Sequence, residues 1–119
     1  MKLSRMDKVS LTVNIPSMLA YEVEKHKPSD TTRAWYTQWL VTDELARIGY
    51  PVMARRKARA SKRERAVDLS RPYYPTEFKG QSFREVIEAT SGKLSMAAYV
   101  AALLQDALDR HSRRHHGEI

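Results

Sequence analysis

The fold of this chain is decided by the stretch Lys8-Val9-Ser10-Leu11-Thr12-Val13-Asn14-Ile15-Pro16. Apolar and polar residues alternate along it, and successive side chains of a strand point to opposite faces. The pattern therefore predicts a strand over about 8–15, with one apolar face and one hydrogen-bonding face. Pro16 is expected to end the strand, because proline cannot extend a ladder. One strand leaves its own backbone groups unpaired, so this strand requires a partner.

Length and charge limit what the chain can be. Its 119 residues predict one compact domain, 1–119, and the absence of cysteine excludes disulfides, a thiolate nucleophile and a cysteine-based zinc site. A net charge of +7 and a pI of about 9.9 predict an anionic partner, with nucleic acid ahead of an anionic membrane surface. No apolar run approaches the roughly 20 residues of a membrane span, and no secretory signal opens the chain. A cytoplasmic protein is expected.

The first half, 8–49, continues from the strand into two helices. Ser17 is the expected N-cap of a helix that ends near Lys27, because Pro28 follows. Its expected apolar side is Met18, Leu19, Tyr21 (or Ala20) and Val23. A cluster of N-cap formers, 29–32, precedes a second helix over about 33–48, which Gly49 terminates. The apolar stripe expected for this helix is Trp35, Trp39, Thr42 and Ala46, flanked by Leu45 and Ile48.

The second half, 73–111, repeats this order. The aromatic-rich segment 73–79 is the candidate partner strand, although Pro75 restricts it to an edge. Ser82 and Glu85 form a capping box for a short helix that ends near Thr90. Ser95 is the expected N-cap of a last helix to about Arg110, and a basic tail, 112–119, follows. The apolar face expected for the last helix is Met96, Tyr99, Val100, Leu103, Leu104, Ala107 and Leu108.

A basic linker, 50–72, joins the halves. It concentrates seven basic residues, Arg55, Arg56, Lys57, Arg59, Lys62, Arg63 and Arg65, around a single Glu64. Two interpretations are open at this point. The segment is either a solvated linker or an arm that contacts the phosphates of DNA, chiefly through its first three basic residues.

Strand, short helix, turn and longer helix in about 45 residues resemble the ribbon-helix-helix (Arc/MetJ-like) DNA-binding family. The turn and helix start Gly92-Lys93-Leu94-Ser95-Met96-Ala97-Ala98-Tyr99-Val100 is similar to the one common in that family, and Ser29-Asp30-Thr31 stands at the same place in the first half. The resemblance implies a mainly α fold with a short two-stranded antiparallel ribbon. Its organisation is similar to that of single-chain pseudo-dimers, including accessory proteins of plasmid and T-DNA transfer. The rival arrangement is a homodimer, in which the first strand pairs with its copy.

A two-stranded ribbon fits the major groove of double-stranded DNA, where polar side chains can read base edges. Ser10, Thr12 and Asn14 form such a polar row. Phosphate contacts are expected from basic side chains and from the free N–H groups of helix starts. These candidates are Lys8, Thr31, Arg55, Arg56, Lys57, Lys79, Lys93 and Ser95. If Tyr74, Thr76 and Phe78 face inward, Glu77 faces outward and makes the reading face asymmetric.

No catalytic constellation emerges, so an enzyme is not expected. His111 and His115 have i,i+4 spacing, but no third ligand completes a metal site, and no cofactor motif is present. Trp35, Tyr36 and Trp39 are read as core more readily than as a base-stacking platform. Two functions remain. One is a sequence-preferring DNA-binding protein, acting as a regulator or as an accessory factor in plasmid transfer or partition. The other is a protein–protein adaptor or antitoxin-like module that binds an acidic partner.

Overall fold

The computed structural model of the chain describes residues 10–53 and 65–117, which form a two-stranded antiparallel sheet and four helices. The elements are β1 (Ser10–Pro16), α1 (Ser17–His26), α2 (Arg33–Arg47), β2 (Tyr73–Lys79), α3 (Gln81–Thr90) and α4 (Met96–Gly117). The predicted combination of a short antiparallel ribbon with helices is confirmed, and both strands belong to the same chain. No helix in these two ranges is both long and apolar enough to cross a membrane.

The ribbon pairs the two strands along their full length. Ser10 lies opposite Lys79 at one end, and Pro16 lies opposite Tyr73 at the other. β2 has the bounds predicted for the partner strand. β1 extends one residue further than predicted, because Pro16 occupies its last position, where the chain turns directly into α1. Lys8, with which the predicted strand began, lies outside the described residues.

The inner face of the ribbon packs on the helices. Leu11, Val13 and Ile15 of β1 are buried, as is Phe78 of β2, whose ring stacks on that of Phe83 in α3 with centroids 5.0 Å apart. The alternation of burial along both strands matches the predicted alternation of side chains. The helices contribute Leu19, Ala20, Val23, Leu40, Val41, Leu45, Ile87, Val100, Leu103, Leu104, Ala107 and Leu108 to the same core. One core therefore joins both halves of the chain.

The predicted core face of α2 is confirmed at Leu45 but is wrong at Trp39, Ala46 and Ile48, which are exposed. The buried residues of this helix are Arg33, Thr37, Gln38, Leu40, Val41, Glu44 and Leu45. Trp39 keeps 38% of its surface exposed, and Ala46 is exposed. The predicted stripe and the buried one both have helical spacing. The compact aliphatic side chains of α2 fit the close contact with α4 and the ribbon, whereas the two indole rings lie at the edge of that contact. The apolar side predicted for α1 is confirmed at Leu19, at Val23 and at Ala20, the alternative to Tyr21. It is wrong at Met18 and at Tyr21, which are exposed.

Two predicted N-caps are also wrong. α1 begins at Ser17 itself, whose N–H donates to the Pro72 carbonyl 3.0 Å away, and α3 begins at Gln81, so Ser82 lies inside the helix. Each strand runs into its short helix with at most one residue between them, so the ribbon fixes where the helix starts. Gly80 makes this connection at the end of β2 with φ of 112°, a conformation that favours glycine.

The remaining helix ends agree more closely with the sequence. Ser95 caps α4, since its hydroxyl accepts from the Ala98 N–H at 3.1 Å. Gly49 follows α2 with φ of 99°, and the N–H groups of Gly49 and Tyr50 bond back to Ala46 and Leu45, which closes the helix in a Schellman motif. α4 continues to Gly117, so the helix extends through most of the predicted basic tail.

Candidate nucleic-acid interface

The predicted polar row lies on the outer face of the ribbon. Thr12 and Asn14 are exposed and Ser10 is half-buried, while the residues between them point into the core. Burial of one face therefore directs the other toward solvent, as the alternation requires. Over seven residues this outer face is about 20 Å long.

The register places four cross-strand pairs on this face. They are Ser10–Lys79, Thr12–Glu77, Asn14–Pro75 and Pro16–Tyr73. All four β2 members are exposed. Lys79 thus lies directly opposite Ser10, so the ribbon brings a predicted phosphate contact beside a predicted base contact.

A buried glutamine holds the end of β2. The Gln38 Nε2 donates to the Lys79 carbonyl at 2.7 Å, and the Lys79 N–H donates to the Gln38 Oε1 at 2.8 Å. Gln38 is itself fully buried on α2. The helix therefore fixes the backbone from which Lys79 projects onto the outer face.

A buried arginine ties the opposite end of β2 to the first half. Arg33, the first residue of α2, donates to the carboxylate of Glu24, to the hydroxyl of Tyr74 and to the Arg65 carbonyl at 3.0 Å. Its guanidinium carbon also lies 4.9 Å from the centroid of the Tyr74 ring. Burial lowers the pKa of Arg33, but the interactions with Tyr74 and Glu24 outweigh this and raise it overall. The guanidinium is permanently charged and holds α1, α2 and β2 together.

The positive charge of the chain lies almost entirely outside the described fold. Residues 10–53 and 65–117 contain twelve basic and eleven acidic residues. Residues 54–64 alone contain six basic and one acidic side chain. On the outer face of the ribbon, Lys79 and Glu77 offset each other. The polar row and the charge needed to attract an anion are therefore on different parts of the chain.

The other residues predicted to contact phosphate differ in how accessible they are. Thr31 is fully buried, and both its N–H and its hydroxyl donate to the Pro28 carbonyl, at 3.2 and 3.0 Å. The N-cap of α2 is Thr32, whose hydroxyl accepts from the Trp35 N–H at 3.1 Å. The prediction that Thr31 caps this helix and offers a group to phosphate is therefore corrected. Lys93 and Ser95 are exposed in the turn between α3 and α4. Lys8, Arg55, Arg56 and Lys57 lie outside the described residues.

The aromatic residues of α2 form a small stack at the surface. The rings of Tyr36 and Trp39 are nearly parallel, with centroids 5.7 Å apart, and His111 of α4 lies 5.3 Å from Trp39. Burial raises the pKa of Tyr36 above its ordinary value. Beside the stack, Asp43 of α2 pairs with Arg110 of α4 at 3.4 Å. These contacts link the two long helices, so the stack is neither a fully buried core nor a free platform.

Several residues of the outer face were not predicted as site residues. Pro16 and Pro75 complete it. They could have been found once the partner strand was known, because every second residue of each paired strand lies on the same face. Gln38 and Arg33 support the ribbon, but a polar residue on a helix is ordinarily expected at its solvated side, and only the packing reveals their role.

Among described side chains, no group of three His, Cys, Asp or Glu residues could hold a metal ion.

Comparisons of the chain with protein-family models, with curated proteins and with solved structures find no match.

Proposed function

We propose that this chain is a DNA-binding protein of the ribbon-helix-helix type in which one polypeptide supplies both halves. Its repeated order supports this. Strand, short helix and longer helix occur twice, and the strands pair with each other. The long helix starts 16 residues after the short one in the first half (Ser17 to Arg33) and 15 residues after it in the second (Gln81 to Met96).

The observation that carries the proposal is the outer face of the ribbon. Ser10, Thr12 and Asn14 present hydroxyl and amide groups from a strand whose other face is fixed in the core. A ribbon of this kind enters the major groove, where asparagine can bond adenine N6 and N7, and serine or threonine can donate or accept. The protein reads base edges with this face.

Affinity comes from elsewhere in the chain. The fold is close to neutral, so residues 54–64 supply most of the attraction to phosphate, without sequence preference. Base reading and phosphate binding are thus divided between the ribbon and the linker. The resemblance noted above favours a regulator or an accessory factor in plasmid transfer or partition as the process served.

The test is a selection of bound duplexes from random DNA, followed by affinity measurements on the selected duplex and on a scrambled one. Asn14→Ala should weaken binding to the selected duplex by about 1–3 kcal/mol and leave the scrambled duplex unaffected. Gln105→Ala, on the exposed face of α4, is the matched control and should change neither. Equal losses on both duplexes would remove Asn14 from base reading. Equal binding to an acidic polypeptide would instead favour the adaptor function.

A further inference from the structure

The two ends of the ribbon's outer face are chemically different. At the end formed by Ser10–Lys79 and Thr12–Glu77, every side chain carries a hydrogen-bonding group. At the other end the residues on this face are Pro16, Pro75 and Tyr73, and the hydrogen-bonding groups are the amide of Asn14 and the hydroxyl of Tyr73. Tyr73 is 58% exposed, and both prolines are exposed, so the rings of this end are accessible to a ligand.

We infer that the ribbon recognises a DNA site without two-fold symmetry and binds it in one orientation, with the ring-bearing end over A·T pairs and the charged end over G·C pairs. This inference rests on the proposed DNA-binding function. An outer face about 20 Å long covers about six base pairs, at 3.4 Å each. Both ends therefore contact the same short site.

The ring-bearing end matches thymine. The thymine C5 methyl is the one apolar group that bases present in the major groove. A proline side chain carries no hydrogen-bonding group, so Pro16 and Pro75 can contact that methyl but leave a polar base edge unsatisfied. Asn14, directly opposite Pro75 and two residues before Pro16 on the same face, has the amide that bonds adenine. Together these residues select A·T pairs.

The charged end matches G·C pairs. The carboxylate of Glu77 accepts from the N4 amino group of cytosine and is repelled by the acceptor atoms of guanine and thymine. The ammonium group of Lys79, two residues further along the same face, can donate to O6 and N7 of guanine. The two charges thus favour opposite members of a G·C pair, and neither is suited to a thymine methyl.

Pairing within one chain is what permits this difference. A strand paired with its own copy would place the same residues at both ends of the ribbon, and its site would read alike from either direction. Here β1 and β2 have different sequences, so a palindromic site would satisfy only one end.

The experiment uses the full chain and the selected duplex. The consensus should be non-palindromic, with A·T pairs on one side and G·C pairs on the other. Replacing thymine by uracil in the A·T part removes only the methyl group and should weaken binding about fourfold per methyl contacted. Tyr73→Ser combined with Pro75→Ser should reduce this sensitivity to uracil to the contact that Pro16 alone makes, whereas Tyr50→Ser, in an exposed segment beyond α2, should retain all of it. Unfolding curves of each variant confirm that the fold is intact.

The failures of the two proposals are separable. Tight duplex binding with a palindromic consensus, or with no loss on uracil substitution, would overturn this inference and leave DNA binding in place. Failure to bind any duplex at low salt would overturn the proposed function together with the inference.

Discussion

Gln38 on α2 binds both backbone groups of Lys79, so its side-chain amide takes the place of a neighbouring strand at the end of β2. The two-stranded ribbon has no third strand to cover this edge, and a glutamine amide has the donor and the acceptor that a peptide group would supply.

Replacing Gln38 by leucine should lower the free energy of unfolding by about 1–3 kcal/mol, because both backbone groups of Lys79 lose their partner. Urea unfolding measures this loss. Gln105→Leu is the control, since the Gln105 amide bonds to Asp109 at the surface and the loss of this bond should cost less than about 0.5 kcal/mol. Similar losses in the two variants would mean that the contact with Lys79 contributes nothing to stability.

Arg33→Met should destabilise the fold by about 2–4 kcal/mol, because it leaves the carboxylate of Glu24 and the hydroxyl of Tyr74 without their buried partner. A double-mutant cycle with Glu24→Gln should give a coupling energy of about 1–2 kcal/mol. Arg84→Met supplies the comparison, since its pair with Glu88 is exposed and is expected to contribute less than about 0.5 kcal/mol. A coupling energy near zero would contradict the role of Arg33 in holding α1 to α2.

Tyr36 should make the fold sensitive to alkali. Burial raises the pKa of Tyr36, so its phenol ionises at lower pH in the unfolded chain than in the folded one. The resulting stability is complete below about pH 10 and is lost as pH rises through the folded pKa. Urea midpoints between pH 9 and pH 11.5 should therefore fall less steeply in Tyr36→Phe than in the natural chain. Tyr73→Phe, at an exposed site, should follow the natural curve, and coincidence of all three curves would refute the prediction.

The ribbon should close within one chain. Thr12 and Glu77 are directly opposite on the outer face, and such pairs have Cα atoms about 4.5–5.5 Å apart, within the range of a disulfide. Because the chain has no cysteine, Thr12→Cys with Glu77→Cys introduces the only two thiols. Oxidation at low micromolar concentration should give a monomer without free thiols, as measured by mass and by sedimentation. A disulfide-linked dimer as the main product would show that the strands pair between chains.

The salt dependence of binding should come from the linker. Replacing Arg55, Arg56 and Lys57 by glutamine should reduce the slope of log affinity against log salt by about 3 if each contacts a phosphate. The reduction should be the same for every duplex. Arg47→Gln with Arg84→Gln removes charge from the helices instead and should leave the slope unchanged. An unaltered slope in the linker variant would identify the run as a solvated linker.

The elements could be predicted from sequence because their signals are local. Alternation of polar and apolar residues predicted the outer row of β1, and Gly49 and Ser95 predicted helix ends through backbone conformation and capping. The core face of α2 could not be predicted in the same way, since Trp39 and Leu40 are both apolar and only the neighbouring elements decide which is buried. Ser17 and Ser82 have the chemistry of N-caps, yet the strands lead so directly into the helices that Ser17 is the first residue of α1 and Ser82 the second residue of α3. Gln38 and Arg33 could not be recognised from sequence for a related reason. The contacts that join them to β2, with Lys79 and Tyr74, lie 41 residues away along the chain.

Because the two strands of the ribbon are far apart in the sequence, the ribbon cannot form until most of the chain has been synthesised. β1 is complete once Pro16 has been added, but β2 begins 57 residues later, at Tyr73. At about 5–20 residues per second, the ribosome takes roughly 3–11 s to supply the partner strand. Throughout that interval the apolar side chains of Leu11, Val13 and Ile15 have neither a paired strand nor a finished core to cover them. Neighbouring nascent chains on one messenger RNA carry the same unpaired edge, so fast initiation favours exchange of strands between chains, and a low rate of initiation favours pairing of the two strands within one chain.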